Sequence, residues 1–197
     1  MSSGGDGLDV TDQFLGEFLL VRQPSIWGYG KASWEVNLGC NYKCKHCYLG
    51  LKVNSGMPWE DKRRCLDIMA EAGVLFLQVT GGEPTLHPQF AALVNHALAC
   101  GLDVQVYSNL YRVRQQHWWL FERAKVSLAT SYYSDRAQEH ERVTGRQGSH
   151  AATRANIVQA VQSRIPLQVG IVEVFEGQRT AAARQELLAL GVVRPIM

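Results

Sequence analysis

Cys40, Cys44 and Cys47 stand in the run Cys-Asn-Tyr-Lys-Cys-Lys-His-Cys, with three residues and then two between successive thiols. Thiols this close together can wrap one face of a compact metal centre. A structural zinc site or an electron-transfer cluster normally takes four protein ligands. Three thiolates on a 4Fe–4S cluster leave one iron open to a small molecule; in the other reading, His46 or a distant side chain completes a zinc site. A second group is Thr80-Gly81-Gly82-Glu83-Pro84. Its glycines let backbone approach a ligand closely, and the Glu83 carboxylate can accept hydrogen bonds from a cationic amine. Taken alone, this run reads first as an ordinary turn.

Both groups need elements to position them, and the apolar pattern supplies these. Trp34 to Leu38 reads as a strand ending at Gly39, directly before the cysteines. Pro58 opens a helix with Cys65, Leu66, Met69 and Ala72 on one face, stopped by Gly73. The nearly continuous apolar run Val74 to Val79 is a second strand ending at the glycine group. A helix from Pro88 to Gly101, a strand from Leu102 to Tyr107, a short helix within Arg112 to Glu122 and a strand from Val126 to Thr130 follow. Ser149 caps a helix that ends before Pro166; Leu167 to Phe175 is a fifth strand, Thr180 to Leu190 a helix, and Val192-Val193 the start of a sixth strand.

Apolar strands alternating with helices predict an α/β fold with a parallel sheet buried on both faces, whose working loops lie at the carboxyl ends of the strands. Ser108-Asn109 and Ser131 close the third and fourth strands and read as turn residues or ligand contacts. Residues 1–10 read as a loose tail, 11–33 as an irregular lead-in, and 34–197 as the core domain.

Composition narrows the class. Hydrophobic residues make up 46% and charged residues 19%, enough to bury a core and too ordered a balance for intrinsic disorder. The net charge of +2 gives no bulk argument for a nucleic-acid or anionic-membrane partner. No apolar run approaches a membrane span of about 20 residues, and Met1 to Gly7 has no signal-peptide character. Five cysteines with three crowded together suit a reducing compartment, so the expected location is cytoplasmic. Cys65 and Cys100 read as small buried hydrophobes, and Trp118, Trp119 and Phe121 as packing residues. His117, His140 and His150 show no metal pairing, and Asp61-Lys62-Arg63-Arg64 reads as a solvated helix face.

With both motifs on successive strand ends, the sequence resembles the radical S-adenosylmethionine superfamily from about Trp34 onward. The resemblance rests on the cysteine spacing, with His46 where the family often carries Tyr or Phe, and on the Gly81-Gly82-Glu83-Pro84 turn. It implies a partial (βα)6-type barrel, here ending within the sixth strand. It also implies a 4Fe–4S cluster on Cys40, Cys44 and Cys47 whose open iron chelates S-adenosylmethionine. Reductive cleavage of that cofactor gives a 5′-deoxyadenosyl radical. Gly81, Gly82, Glu83 and Pro84 would meet the methionyl amine, with Gly82 against the ligand. Ser108, Asn109 and Ser131 would meet the ribose or methionyl group, Arg154 the carboxylate, and Gly170-Ile171-Val172 the adenine.

The stretch from Ser131 to Ile157 resembles the peptide-modifying subgroup with a cysteine-rich C-terminal extension, which is absent here. The implied substrate is a peptide or a small biosynthetic molecule, and the implied electron donor is external, of flavodoxin or ferredoxin type. The residue that handles the radical is unassigned. Competing readings are an accessory cluster-binding subunit without turnover and a zinc-binding interaction module.

Overall fold

The apolar runs line up side by side. The computed structural model describes residues 18–21, 30–49 and 57–196. Its sheet holds six strands in chain order: β1 (Phe18–Val21), β2 (Lys31–Asn37), β3 (Phe76–Gly81), β4 (Asp103–Tyr107), β5 (Val126–Tyr132) and β6 (Leu167–Ile171). β1 runs antiparallel to β2, and the four later pairs are parallel. Helical crossovers join the parallel strands: α1 (Trp59–Glu71), α2 (Phe90–Ala99), α3 (Gln115–Phe121), and the pair α4 (Ala137–Thr144) and α5 (Ser149–Gln162); α6 (Thr180–Ala189) follows β6. Because consecutive strands are neighbours, the loops after β2 and β3 adjoin at one end of the sheet.

Burial alternates along β2 and β3, with Ala32, Trp34, Leu77 and Val79 buried between half-buried neighbours, so here one face of the sheet packs into the core rather than both faces as expected. Trp34, Leu77, Val79, Val104, Val106 and Leu128 are fully buried and join Leu66, Phe90, Leu93, Ile157 and Leu187 from the helices in one core. No helix among the described residues is long and apolar enough to cross a membrane.

Several elements depart from the sequence reading. The expected loose tail, residues 1–10, lies outside the described residues. Within the expected lead-in, β1 pairs with β2, with Phe18 opposite Trp34 and Val21 opposite Lys31, so the sheet begins upstream of residue 34. The sixth strand does not start at Val192-Val193: Val192 packs back under α6 through its N–H to Leu187 O (3.0 Å), and Val193 is exposed. The chain rejoins the sheet at Ile196, which bridges β6 through Ile171 N–H to Ile196 O (2.7 Å) and Ile196 N–H to Val169 O (2.9 Å). Helix α4 is too polar to show an apolar stripe; it buries His140, Val143 and Thr144 and stops at Gly145 in the left-handed region, φ 60°. Lys62, taken for part of a solvated face, is buried, and its Nζ donates to Met57 O.

Candidate functional site

The loop after β2 and the turn after β3 are sewn together by backbone. Gly82 N–H donates to Asn37 O and Glu83 N–H to Gly39 O, both at 2.8 Å. The buried Asn37 amide adds bonds to Gly39 O (3.1 Å) and Glu83 O (3.3 Å). Glycine is required at both positions of the turn for a reason the sequence did not reveal. A Cβ on Gly81 (φ 120°) would lie 2.2 Å from Asn37 O, and one on Gly82 would lie 2.2 Å from Gly39 O. The close approach that these glycines permit is to the protein's own cysteine loop.

Glu83 likewise faces inward. Its carboxylate is buried, and Oε1 accepts from Thr85 N–H (3.2 Å), Thr85 Oγ1 (2.6 Å) and Ser108 Oγ (2.8 Å). Oε2 accepts from Asn109 N–H at 2.7 Å. Burial pushes its pKa up, opposed by these donors. Three donors converge on Oε1 and one on Oε2, so this side chain is committed to tying the turn to the end of β4. Pro84 is buried and begins a single 3₁₀ turn, Pro84–Leu86.

Through Glu83 the turn fixes the end of β4. Asn109 donates from Nδ2 to Asn41 Oδ1 (2.7 Å) and to Cys40 Sγ (3.9 Å). Its carbonyl accepts from Thr153 Oγ1 (2.8 Å), which also bonds Tyr42 OH (2.9 Å). Asn41, Tyr42 and Thr153 were missed in the sequence because nothing local marks them; the contacts span up to 111 residues.

None of the five cysteines is in a disulfide, and Cys40, Cys44 and Cys47 share the half-buried loop after β2. That loop is docked on the end of α4 by Lys43 N–H to Thr144 O (2.8 Å) and Lys45 N–H to Val143 O (3.1 Å). Gly145 allows the docking, since a Cβ there would lie 2.7 Å from Lys43 O. His46, at the position where an aromatic was expected, sets its ring edge-on to Tyr133 with centroids 5.4 Å apart. Burial, with Cys44 beside it, pushes the Tyr133 hydroxyl up, and Ser131 hydrogen-bonds that hydroxyl. A cleft of about 300 Å³ beside the loop is lined by Lys45, His46, Arg142, Val143, Val174 and Phe175.

The other candidates lie further along the sheet. Val172, just past β6, is 36% exposed and is fixed by Gln178 Nε2, which donates to the carbonyls of Val172 and Tyr133 at 2.7 Å each. Arg154 is engaged at Nε by Glu186 of α6 (2.6 Å), whose other oxygen accepts from Tyr132 OH (2.8 Å). An acidic partner from its own fold therefore occupies the Arg154 Nε that was expected to be available for a cofactor carboxylate.

His140 and His150, unpaired in the sequence reading, come together with centroids 5.5 Å apart beside Tyr132 and Tyr133. His140 is fully buried, and neither ring nitrogen has a hydrogen-bond partner among the described residues. Burial, then the His150 charge, pushes its pKa down to about 3. The unfolded chain takes up this proton near pH ~6.5, before the folded one does, so stability is full above that pH and falls as pH drops toward the folded value. From pH 7.5 to 5.5 this one group is expected to remove about 1.4 kcal/mol. His140→Phe should abolish that share in urea unfolding at the two pH values; an equal loss in both proteins would refute the assignment.

Comparison with known proteins agrees with this architecture. A family model described as the Radical SAM superfamily matches residues 34–175. The subtilosin biosynthesis protein AlbA of Bacillus subtilis is 29% identical over 126 residues, covering 62% of this chain and 28% of that protein. The mycofactocin maturase MftC of Mycobacterium tuberculosis is 36% identical over 87 residues, 41% of this chain and 21% of that one. The chain thus spans less than a third of the length of these curated relatives. The crystal structure of Streptococcus suis SuiB bound to its precursor peptide SuiA superposes with a TM-score of 0.70 at 15% identity, over 79% of this chain and 35% of that one. A family match over residues 34–175, carried on a sheet that sets the cysteine loop beside the glycine turn, places this chain in the Radical SAM superfamily.

Proposed function

We propose that this chain is the cluster- and cofactor-binding core of a radical S-adenosylmethionine enzyme that modifies a peptide, with a small biosynthetic molecule as the alternative substrate. The observation that carries the reading is the set of three thiols on the loop after β2, stitched by backbone to the glycine turn after β3. The donor set fits a 4Fe–4S cluster with one iron left for a cofactor: three thiols on one half-buried loop, with the Asn109 amide directed at the Cys40 sulfur. When bound, the cluster supplies the electron that cleaves the S-adenosylmethionine sulfonium to methionine and a 5′-deoxyadenosyl radical.

The chain's own residues bind and orient. The backbone of Gly81, Gly82, Glu83 and Pro84 faces the methionyl amine, while the Glu83 carboxylate and Ser108 act from behind by holding Asn109. Asn109 and Ser131 meet the cofactor at the ends of β4 and β5. Val172 offers its exposed apolar side chain to the adenine, and Arg154 the guanidinium N–H groups other than Nε to the carboxylate. Lys45 and Arg142 give the loop a cationic margin, suited to an acidic external electron donor of flavodoxin or ferredoxin type. The names of AlbA and MftC, and the peptide bound to SuiB, support a peptide as the substrate class. A cytoplasmic location follows from the oxygen-sensitive, thiol-bound centre.

The test is anaerobic reconstitution with iron and sulfide, followed by S-adenosylmethionine and a strong reductant. The expected result is a change in the cluster's EPR signal on adding S-adenosylmethionine, and 5′-deoxyadenosine formed above the protein-free rate. A loaded cluster with no 5′-deoxyadenosine would favour an accessory subunit instead. Bound zinc without charge-transfer absorbance would overturn the reading.

A further inference from the structure

Away from the cysteine loop, Asp67 of α1 meets His96 of α2 and Cys100, the residue that caps the end of α2. Asp67 Oδ1 lies 2.7 Å from His96 Nε2 and 3.4 Å from Cys100 Sγ. The three ligand-type atoms all fall within 4.8 Å of one another, and all three residues are partly buried. His96 and Cys100 are four residues apart, so they occupy one helix face a single turn from each other. Asp67 reaches that face from the neighbouring helix. We propose that Asp67, His96 and Cys100 form a second metal site, for a zinc-class divalent cation, on the seam between α1 and α2.

The donor set supports that class of ion. Imidazole nitrogen, thiolate sulfur and carboxylate oxygen are the three donor types that zinc takes, whereas calcium and magnesium select oxygen alone. Tetrahedral bonds of roughly 2.0–2.3 Å place ligand atoms about 3.3–3.8 Å apart. The Asp67–Cys100 separation already lies in that range, and the shorter Asp67–His96 contact has to open by roughly half an ångström, so small side-chain adjustments suffice. Charge balances as well: the Asp67 carboxylate and a Cys100 thiolate together neutralise a dication, and binding releases the Cys100 thiol proton to solvent. Arg63, one turn before Asp67, is paired with Glu60 at 3.2 Å. The Asp67 side chain is 46% exposed, which leaves a fourth position for water. The ion would pin α1 to α2 and is independent of the cluster.

The protein for the test is the cluster-loaded chain, in which Cys40, Cys44 and Cys47 are already engaged. It is dialysed anaerobically against micromolar zinc, and zinc and iron are counted by mass spectrometry in the parent and in His96→Ala, Asp67→Asn, Cys100→Ser and Cys65→Ser. The expected result is about one zinc per chain in the parent and in Cys65→Ser. His96→Ala and Cys100→Ser should bind it at least ~100-fold more weakly, a loss at or above the upper range for outer-shell changes. Iron should be unchanged in every variant, which also shows that each variant is folded. Zinc should raise the melting temperature of the parent and leave that of His96→Ala unmoved. The inference is overturned if the parent holds no zinc, if zinc displaces iron, or if zinc content is the same in His96→Ala and Cys100→Ser as in the parent. Iron content separates such a failure from failure of the cluster assignment.

Discussion

Cys40→Ala, Cys44→Ala and Cys47→Ala are each expected to take bound iron from about four per chain to near none after anaerobic reconstitution. The backbone of the loop is held by Thr144 and Val143 of α4 and by Tyr42, whose hydroxyl reaches Thr153. None of these contacts uses a cysteine side chain. The variants should therefore fold, and the loss should be a loss of ligand. The two remaining thiols have other surroundings: Cys65 Sγ lies 3.9 Å from Met57 Sδ, and Cys100 Sγ 3.4 Å from Asp67 Oδ1. Cys65→Ala and Cys100→Ala should keep the parent's iron and sulfide. If either proved as necessary as the loop cysteines, the ligand assignment would be wrong.

The second large effect concerns the glycine turn, where two substitutions act through different physics. In Gly82→Val, the new Cβ meets Gly39 O at 2.2 Å and Leu38 O at 2.7 Å. Both atoms are backbone in a hydrogen-bonded seam, so the turn and the cysteine loop must separate, at a cost on the order of 3 kcal/mol or more. In Glu83→Gln the shape survives but one oxygen becomes an N–H2 group. The hydroxyls of Thr85 and Ser108 can rotate to accept from it; the backbone N–H groups of Thr85 and Asn109 cannot. Whichever way the amide turns, one buried backbone donor faces another donor, and the charge-assisted bonds are lost. We expect Glu83→Gln to cost about 2–4 kcal/mol in urea unfolding.

Both variants should also weaken S-adenosylmethionine binding, followed by titration of the cluster's EPR signal, because Asn109 and the cysteine loop shift with the turn. The two measurements together distinguish a carboxylate that positions β4 from one that touches the cofactor. Weakened binding with unchanged unfolding in Glu83→Gln would mean that the carboxylate faces the ligand.

The cysteine loop, the glycine turn and the order of the elements between them were legible in the sequence. Thiol spacing, apolar runs of strand length and helix-stopping glycines are all written within a window of a few residues, and β2 through β6 follow from them. The sequence also located Ser108 and Asn109, because a parallel sheet puts its loops at strand ends. What each side chain touches was decided by the tertiary structure. Glu83 looked like an amine acceptor and is consumed by donors from Thr85, Ser108 and Asn109, the last 26 residues away. Arg154 looked available and finds Glu186, 32 residues on. Cys100 looked like a small hydrophobe and sits against an aspartate of another helix, 33 residues back. Helix α4 and strand β1 have too weak a pattern to be read locally and exist because of what they pack against or pair with. The physical reason is the same in each case. Periodicity and turn chemistry act along the chain, whereas hydrogen-bond partners and steric limits depend on strand register and helix packing, which are fixed only when distant segments meet.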